Sequence, residues 1–205
     1  MLLRIHPDNP DERSIGKVVE CLRNGGIVVY PTDTVYGLGC DINDQHAIER
    51  IARFKGLNLK KADLSFVCYD LSHISDFVRP MSNEIFKMMK KNLPGPFTFI
   101  LDANSNVPKL FKNNKRTVGI RVPDNNIARE IVSQLGHPIL STSVKAPDDD
   151  MLEYMTDPEL IEETHSHIAD IVIDGGYGGH QASTVVDCTG GGIEIVREGK
   201  GRLVF

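Results

Sequence analysis

No apolar run in this 205-residue chain approaches the roughly 20 residues that are needed to cross a bilayer. The opening segment, MLLRIHPD, turns polar too early to supply the hydrophobic core of a signal peptide. The four cysteines lie far apart and form no C-x-x-C pair, which argues against a zinc site or a disulfide framework. These absences predict a cytoplasmic protein that has reduced cysteines and no membrane contact.

Internal repeats, low-complexity tracts and Pro/Gly/Ser-rich linkers are also lacking, so we expect residues 1–205 to form a single domain. Signatures of common catalytic sites are missing as well, namely G-x-x-x-x-G-K-[ST], G-x-G-x-x-G after a strand, G-x-S-x-G and H-E-x-x-H. We expect His165 and His167 at the surface and the acidic run 148–150 in a solvated loop. No resident metal and no permanent cofactor are expected.

The net charge of −5 disfavours a dedicated nucleic-acid binder. However, residues 50–130 contain 15 basic and 7 acidic side chains, so the middle of the chain is basic and the rest is acidic. An acidic protein with a basic middle can still offer a site for a polyanion.

Hydrophobic periodicity predicts alternating helices and strands early in the chain, with short strands crowded into the C-terminal third. Helices are expected from residue 11 or 14 to Gly25, and over 47–54, 82–91, 125–135 and 157–165. Strands are expected over 27–30, 64–69, 97–101, 117–122, 138–142, 171–173, 183–187 and 193–196, with a loop from 30 to 40. The pattern indicates an α/β fold, a twisted mixed sheet flanked by helices.

Hydroxyl and basic side chains recur where predicted strands or helices end. Arg121 interrupts an apolar strand, and a buried arginine implies a carboxylate or a bound anion beside it. Lys55 precedes a glycine and suits a phosphate or carboxylate, or else a solvated helix end. The loop 30–40 combines hydroxyls with glycines and is either a ligand loop or a plain turn. Ser143, Ser183, Arg197 and their neighbours favour one anion-lined pocket at one edge of the sheet.

Several ordered segments resemble the YrdC/YciO family, and the resemblance runs from Gly25 to the C-terminus. Its most specific pieces are PTDTVYGL at 31–38, PGPFTFIL at 94–101, IRVP at 120–123 and STVVD at 183–187. Three further segments resemble the YciO branch, namely IHPDNP at 5–10, LSTS at 140–143 and DGGY at 174–177.

The resemblance implies a YrdC-like fold with an open basic concavity that takes ATP with Mg²⁺, L-threonine and bicarbonate. YrdC members are threonylcarbamoyl-AMP synthases, and their product serves tRNA modification. Carried over by position, the substrate-binding residues are Thr34, Tyr36, Arg121 and Ser183. The nucleotide-binding residues are Lys55, Ser143, Ser183 and Arg197, and the catalytic residues are Lys55 and Arg121.

Two positions depart from the family's synthases. Their Lys-x-Arg motif has Leu57 as its third residue here, and their Ser-x-Asn motif has Lys145. The resemblance therefore implies a nucleotidyltransferase with weak or altered L-threonylcarbamoyladenylate synthase activity. The alternative is a translation or ribosome-maturation factor that binds double-stranded RNA or tRNA without synthase activity, because YrdC-like domains include such binders.

Overall fold

The computed structural model of the chain describes residues 1–56, 64–108, 116–144 and 156–205. These residues form ten strands and five α-helices. The strands are β1 (Leu2–Arg4), β2 (Val28–Tyr30), β3 (Gly37–Asp41), β4 (Ser65–Val67), β5 (Phe97–Asp102), β6 (Thr117–Arg121), β7 (Ile139–Ser143), β8 (Ile171–Asp174), β9 (Thr184–Asp187) and β10 (Glu194–Arg197). The helices are α1 (Glu12–Arg23), α2 (Gln45–Phe54), α3 (Asn83–Asn92), α4 (Asn126–Leu135) and α5 (Pro158–His165), and 3₁₀ turns cover His73–Asp76 and Thr189–Gly191.

All ten strands belong to one sheet in the order β1-β8-β2-β3-β7-β4-β6-β5-β9-β10. Four neighbouring pairs are parallel, namely β1–β8, β2–β8, β4–β6 and β5–β9, and the others are antiparallel. The predicted mixed α/β architecture is therefore confirmed.

Each helix packs on the sheet through one apolar stripe. The five helices are divided between the two faces of the sheet, so there are two cores. Alternate residues of β2 show the division, since Val29 packs into one core while Val28 and Tyr30 pack into the other. The buried residues of α2, α3 and α5 join the first core, and those of α1 and α4 join the second.

Each helix begins at a side chain that accepts a hydrogen bond from a backbone N–H of the first turn. At α1 this N-cap is Asp11, one of the two predicted, and the helix ends before Gly25, whose φ is +78°. The predicted inward face of α1, with Ile15, Val18 and Val19, is buried. No helix of the described ranges is long and apolar enough to span a membrane.

Two strands were not predicted. Leu2–Arg4 is only three residues long, and Gly37–Asp41 lies within the segment expected to be a loop. Gly37 and Gly39 weaken the sequence signal for this second strand, because glycine is uncommon inside strands, but the packing around them requires glycine. A Cβ at Gly37 would lie 2.9 Å from the Tyr30 ring, and one at Gly39 would lie 2.6 Å from the Leu140 carbonyl oxygen. The expectation of a loop through residue 40 is therefore wrong from Gly37 onward.

Candidate functional site

The turn that joins β2 to β3 is organised by its own threonines. The Thr32 hydroxyl donates to the Val35 carbonyl oxygen at 2.7 Å and accepts from the Thr34 N–H at 3.1 Å. These contacts fix the turn, as in other Ser/Thr side-chain-to-backbone motifs. Thr34 is 1% exposed, and its own hydroxyl faces the end of β6.

Arg121 ends β6 and meets that turn. Its Nη2 donates to the Asp33 Oδ1 at 3.1 Å and to the Thr34 Oγ1 at 2.9 Å. The Asp33 Oδ2 accepts the Asp124 N–H at 3.1 Å, so this carboxylate is held from two sides. The prediction that an inward arginine needs a carboxylate or an anion is confirmed, with Asp33 as the partner. Asp33 was not among the predicted site residues.

Burial dominates the electrostatics of this pair. It lowers the pKa of Arg121 and raises the pKa of Asp33, while the attraction between the two charges opposes both shifts. The Arg121 Nε is a buried nitrogen without a hydrogen-bond partner among the described side chains. An unpaired buried donor is costly, so the position of this guanidinium is maintained by its other contacts, with Asp33 and Thr34.

Lys55 follows the last turn of α2 and reaches the end of β7. Its Nζ donates to the Ser143 carbonyl oxygen at 3.0 Å, and the residue is 9% exposed. The predicted nucleotide-binding pair, Lys55 and Ser143, is therefore in direct contact. The contact is made by the Ser143 backbone.

His165 supports the same strand end and corrects a prediction. It was expected at the surface, but it is 3% exposed, and its Nε2 lies 3.0 Å from the Val144 carbonyl oxygen. Burial lowers the pKa of His165, and the nearby Lys55 charge adds to this. The buried imidazole supplies a hydrogen-bond partner for the carbonyl that follows β7, and its ring also packs against Phe54. His167 is exposed, as expected.

A second group of predicted residues meets at the start of β9. The Arg197 Nη2 donates to the Ser183 carbonyl oxygen at 2.9 Å, and the Ser183 hydroxyl lies 2.8 Å from the Thr98 hydroxyl. Repulsion from Arg197 also lowers the pKa of Arg121, so the two guanidinium groups are within electrostatic range. This interaction links the β9 group to the β6 group.

Two further contacts complete the site, and one of them was missed. The Lys200 Nζ donates to the Asp33 carbonyl oxygen at 2.5 Å, although sequence reasoning did not select Lys200. The signal available was a lysine beside the glycine-rich segment that follows Arg197. Burial raises the pKa of Tyr36 to about 12, so its hydroxyl keeps its proton and donates to the Gly176 carbonyl oxygen at 2.6 Å.

The predicted residues thus form connected clusters at the ends of β2, β6, β7 and β9. Arg121 and Lys200 contact the turn between β2 and β3, and Arg197 lies within electrostatic range of Arg121. Lys55 lies at the carboxyl end of β7, which is on the opposite edge of the sheet from the carboxyl end of β6, because β4 is antiparallel to β7 and parallel to β6. The predicted residues therefore do not all lie at one edge of the sheet. These four cations outnumber Asp33, the acidic side chain paired with Arg121. Such an excess of positioned donors suits an anionic ligand. Leu57 and Lys145, like the acidic run 148–150, lie outside the described residues.

Fold and site together define an α/β protein in which one mixed sheet carries a candidate anion site, built from cations at its strand ends. The Sua5/YciO/YrdC family model, whose description reads "Telomere recombination", matches residues 20–199. The chain belongs to this family.

Similarity to the YciO branch is strong. The chain is 43% identical to YciO of Escherichia coli strain K12 over 198 residues, which are 96% of this chain and 94% of that protein. The E. coli YciO crystal structure superposes with a TM-score of 0.91 at 41% identity, covering 98% of this chain and 97% of the other. The resemblance inferred from the motifs is thereby confirmed.

Threonylcarbamoyl-AMP synthases are more distant relatives. The enzyme of Nitrosococcus oceani is 33% identical over 122 residues, which are 60% of this chain and 65% of that protein. The structure of Pyrococcus abyssi Sua5 complexed with L-threonine matches with a TM-score of 0.87 at 26% identity, and it covers 97% of this chain and 57% of the other.

Proposed function

We propose that this chain binds ATP and L-threonine in the cation-lined site and is a weak or altered L-threonylcarbamoyladenylate synthase that serves tRNA modification. The observation that carries the proposal is the arrangement around Arg121. Its Nη2 is held by Asp33 and Thr34, and these two contacts fix the orientation of the guanidinium. An oriented guanidinium of this kind suits a carboxylate. The threonine complex of the Sua5 relative supports the choice of amino acid.

The proposed reaction needs no nucleophile from the protein. The threonine amine adds to CO₂ derived from bicarbonate and loses a proton, which gives a carbamate. A carbamate oxygen then attacks the α-phosphorus of ATP, with Mg²⁺ entering as part of the nucleotide substrate, and the bond to pyrophosphate breaks. The protein must align the reactants and neutralise the charge that develops on the phosphates.

Each named side chain has one task in this scheme. Arg121 and Thr34 hold the threonine, while Tyr36 and Ser183 line its pocket. Lys55 neutralises charge on the carbamate or the ATP phosphates. Ser143 and Arg197, together with Ser183, hold the nucleotide. These roles are carried over by position from the family resemblance, and the contacts that orient Lys55, Arg121 and Arg197 support them.

Activity is expected to be lower than that of the synthase relatives. Leu57 replaces a cation of the Lys-x-Arg motif, and Lys145 replaces the amide of the Ser-x-Asn motif. Loss of one charge-assisted contact costs about 1.5–3 kcal/mol, or roughly ten- to hundredfold in rate. We expect Lys145, Lys60 or Lys61 to restore part of the lost charge.

Calorimetric titration with MgATP, followed by a pyrophosphate-release assay with threonine and bicarbonate, tests the proposal. We expect ATP binding and pyrophosphate release that depends on both co-substrates. Arg121→Ala should abolish the dependence on threonine. Arg129→Ala is the matched control. Arg129 lies on α4, and its guanidinium carbon is 5.0 Å from the centroid of the Tyr69 ring, so its described contacts lie outside the candidate site. Absence of ATP binding at millimolar ATP would refute the proposal that this chain is a synthase.

A second candidate function is binding of double-stranded RNA or tRNA without synthase activity. It is favoured by the 15 basic residues of segment 50–130, which could contact backbone phosphates. Such binding weakens steeply as salt concentration rises, and Arg121→Ala should leave non-specific RNA affinity nearly intact. RNA affinity that does not change between low and physiological salt would contradict this candidate.

A further inference from the structure

Tyr177 is a large aromatic side chain that lies almost entirely in solvent. Its 81% exposure is the highest among the large exposed apolar side chains of the described residues. It stands in the segment Gly175-Gly176-Tyr177-Gly178-Gly179, with two glycines on each side. The side chain therefore projects from a backbone that carries no other side chains nearby.

The glycine segment is nevertheless fastened to the site. The Gly176 carbonyl oxygen accepts the Tyr36 hydroxyl at 2.6 Å, and the Gly179 N–H donates to the Thr34 carbonyl oxygen at 2.8 Å. Both contacts are to residues of the turn between β2 and β3. Tyr177 is thus held between two anchors that belong to the candidate site.

Close packing of this backbone requires the glycines. A Cβ at Gly178 would lie 2.7 Å from the Tyr36 ring, and one at Gly179 would collide with the Thr34 carbonyl oxygen. Because the backbone is held in place, the exposed ring is presented in advance of any ligand. A rigid aromatic ring with two side-chain torsions loses little entropy when it makes a contact.

A cation reaches the same turn from another direction. Lys200 donates to the Asp33 carbonyl oxygen, and Gly179 donates to that of the next residue, Thr34. Tyr177 is two residues from Gly179, so their Cα atoms are at most about 7 Å apart. The ammonium group uses one of its three donors on Asp33, which leaves donors for a phosphate. The segment that carries the Tyr177 ring and the side chain of Lys200 are therefore hydrogen-bonded to the carbonyl oxygens of adjacent residues.

We propose that Tyr177 stacks on the base of a bound nucleotide whose phosphates lie among the site's cations, with Lys200 the first of them. The inference rests on the proposed function and names its base-recognition element. Every base has a π-face, so stacking on an aromatic side chain tolerates different bases. Nucleoside triphosphates should therefore bind with similar affinity whatever their base, and tripolyphosphate should bind more weakly.

The absence of tryptophan from the chain gives a direct test. Tyr177→Trp introduces the chain's single tryptophan at the proposed stacking position, and ATP should quench the tryptophan fluorescence saturably. Phe86→Trp is the control, because Phe86 is 44% exposed on α3 and belongs to no part of the site. Tyr177→Ala should weaken ATP binding roughly 5- to 150-fold while tripolyphosphate affinity is unchanged. Phe86→Ala should change neither affinity.

The outcomes separate this inference from the proposed function. If the wild-type chain binds ATP but Tyr177→Trp is not quenched and Tyr177→Ala binds as tightly, the stacking proposal is wrong and the proposed function stands. Quenching by a single-stranded RNA oligomer but not by ATP would overturn the assignment to a mononucleotide. No binding of ATP by the wild-type chain would overturn both. Retained tripolyphosphate affinity in Tyr177→Ala shows that the variant is folded.

Discussion

The Nη2 of Arg121 lies 3.1 Å from the Oδ1 of Asp33, and their side chains are 10% and 8% exposed. Removing two such charges from water is expensive, and the pair offsets that cost only because each member also has another contact. Thr34 accepts from the guanidinium, and the Asp124 N–H donates to the carboxylate. The ion pair therefore orients Arg121, and the Asp33 carboxylate offsets the positive charge of the guanidinium. The remaining positive field of the site comes largely from Lys55, Arg197 and Lys200.

Replacing Asp33 by Asn should destabilise the fold markedly. The substitution preserves shape but leaves the buried Arg121 charge without its carboxylate, and such a change typically costs 3–5 kcal/mol, so we expect about that loss in the free energy of unfolding. Urea unfolding measures it. Asp174→Asn is the control, because its partner Arg4 is 80% exposed, and it should cost much less than Asp33→Asn. Equal losses in the two variants would contradict the structural role of the buried pair.

Gly179→Ala should separate the glycine segment from the turn at Thr34. The added methyl group meets the Thr34 carbonyl oxygen, so the two backbones must move apart, at a typical cost of about 1–3 kcal/mol. We expect a lower free energy of unfolding and weaker ATP binding. Gly192→Ala is the matched control, because its Cβ would approach nothing closer than the Thr189 carbonyl oxygen at 3.8 Å. If both variants behave like the wild-type chain, the close approach at Gly179 is unimportant.

Helices were predictable here because their signals are local. The inward face of α1 and the glycine that follows it can be read within about fifteen residues, and the structure buries that face. The strand Gly37–Asp41 could not be read in this way. Its glycines are explained only by the Tyr30 ring and by β7, and β7 lies about a hundred residues further along the chain.

The candidate site shows the same division. Arg121 predicted a carboxylate because a buried charge needs one, but the sequence could not say that the partner is Asp33, 88 residues away. Lys200 was missed because its hydrogen bond to the turn is accepted by a backbone oxygen, which has no residue-type signature. His165 was misplaced for a related reason, since its partner is the Val144 carbonyl oxygen. Contacts between a side chain and distant backbone carry little sequence signal.

His137 should make the stability of the fold depend on pH. Its Nε2 lies 3.4 Å from the Oδ2 of Asp41, and the hydrogen bond to this carboxylate raises the pKa of His137. The folded pKa lies above the unfolded value of about 6.5, so the stabilisation is fully present below that pH and is lost as pH rises through the folded pKa.

The histidine is 28% exposed in its side chain, so the contribution should be about 0.2–1 kcal/mol. Urea unfolding of the wild-type chain and His137→Gln at about pH 5.5 and pH 8.5 measures it, with the larger difference expected at the lower pH. His165 titrates in both proteins, so its effect cancels in the difference. Asp41→Asn should remove the pH dependence of the His137→Gln difference. A difference that grows toward high pH would show that Asp41 does not hold the protonated imidazole.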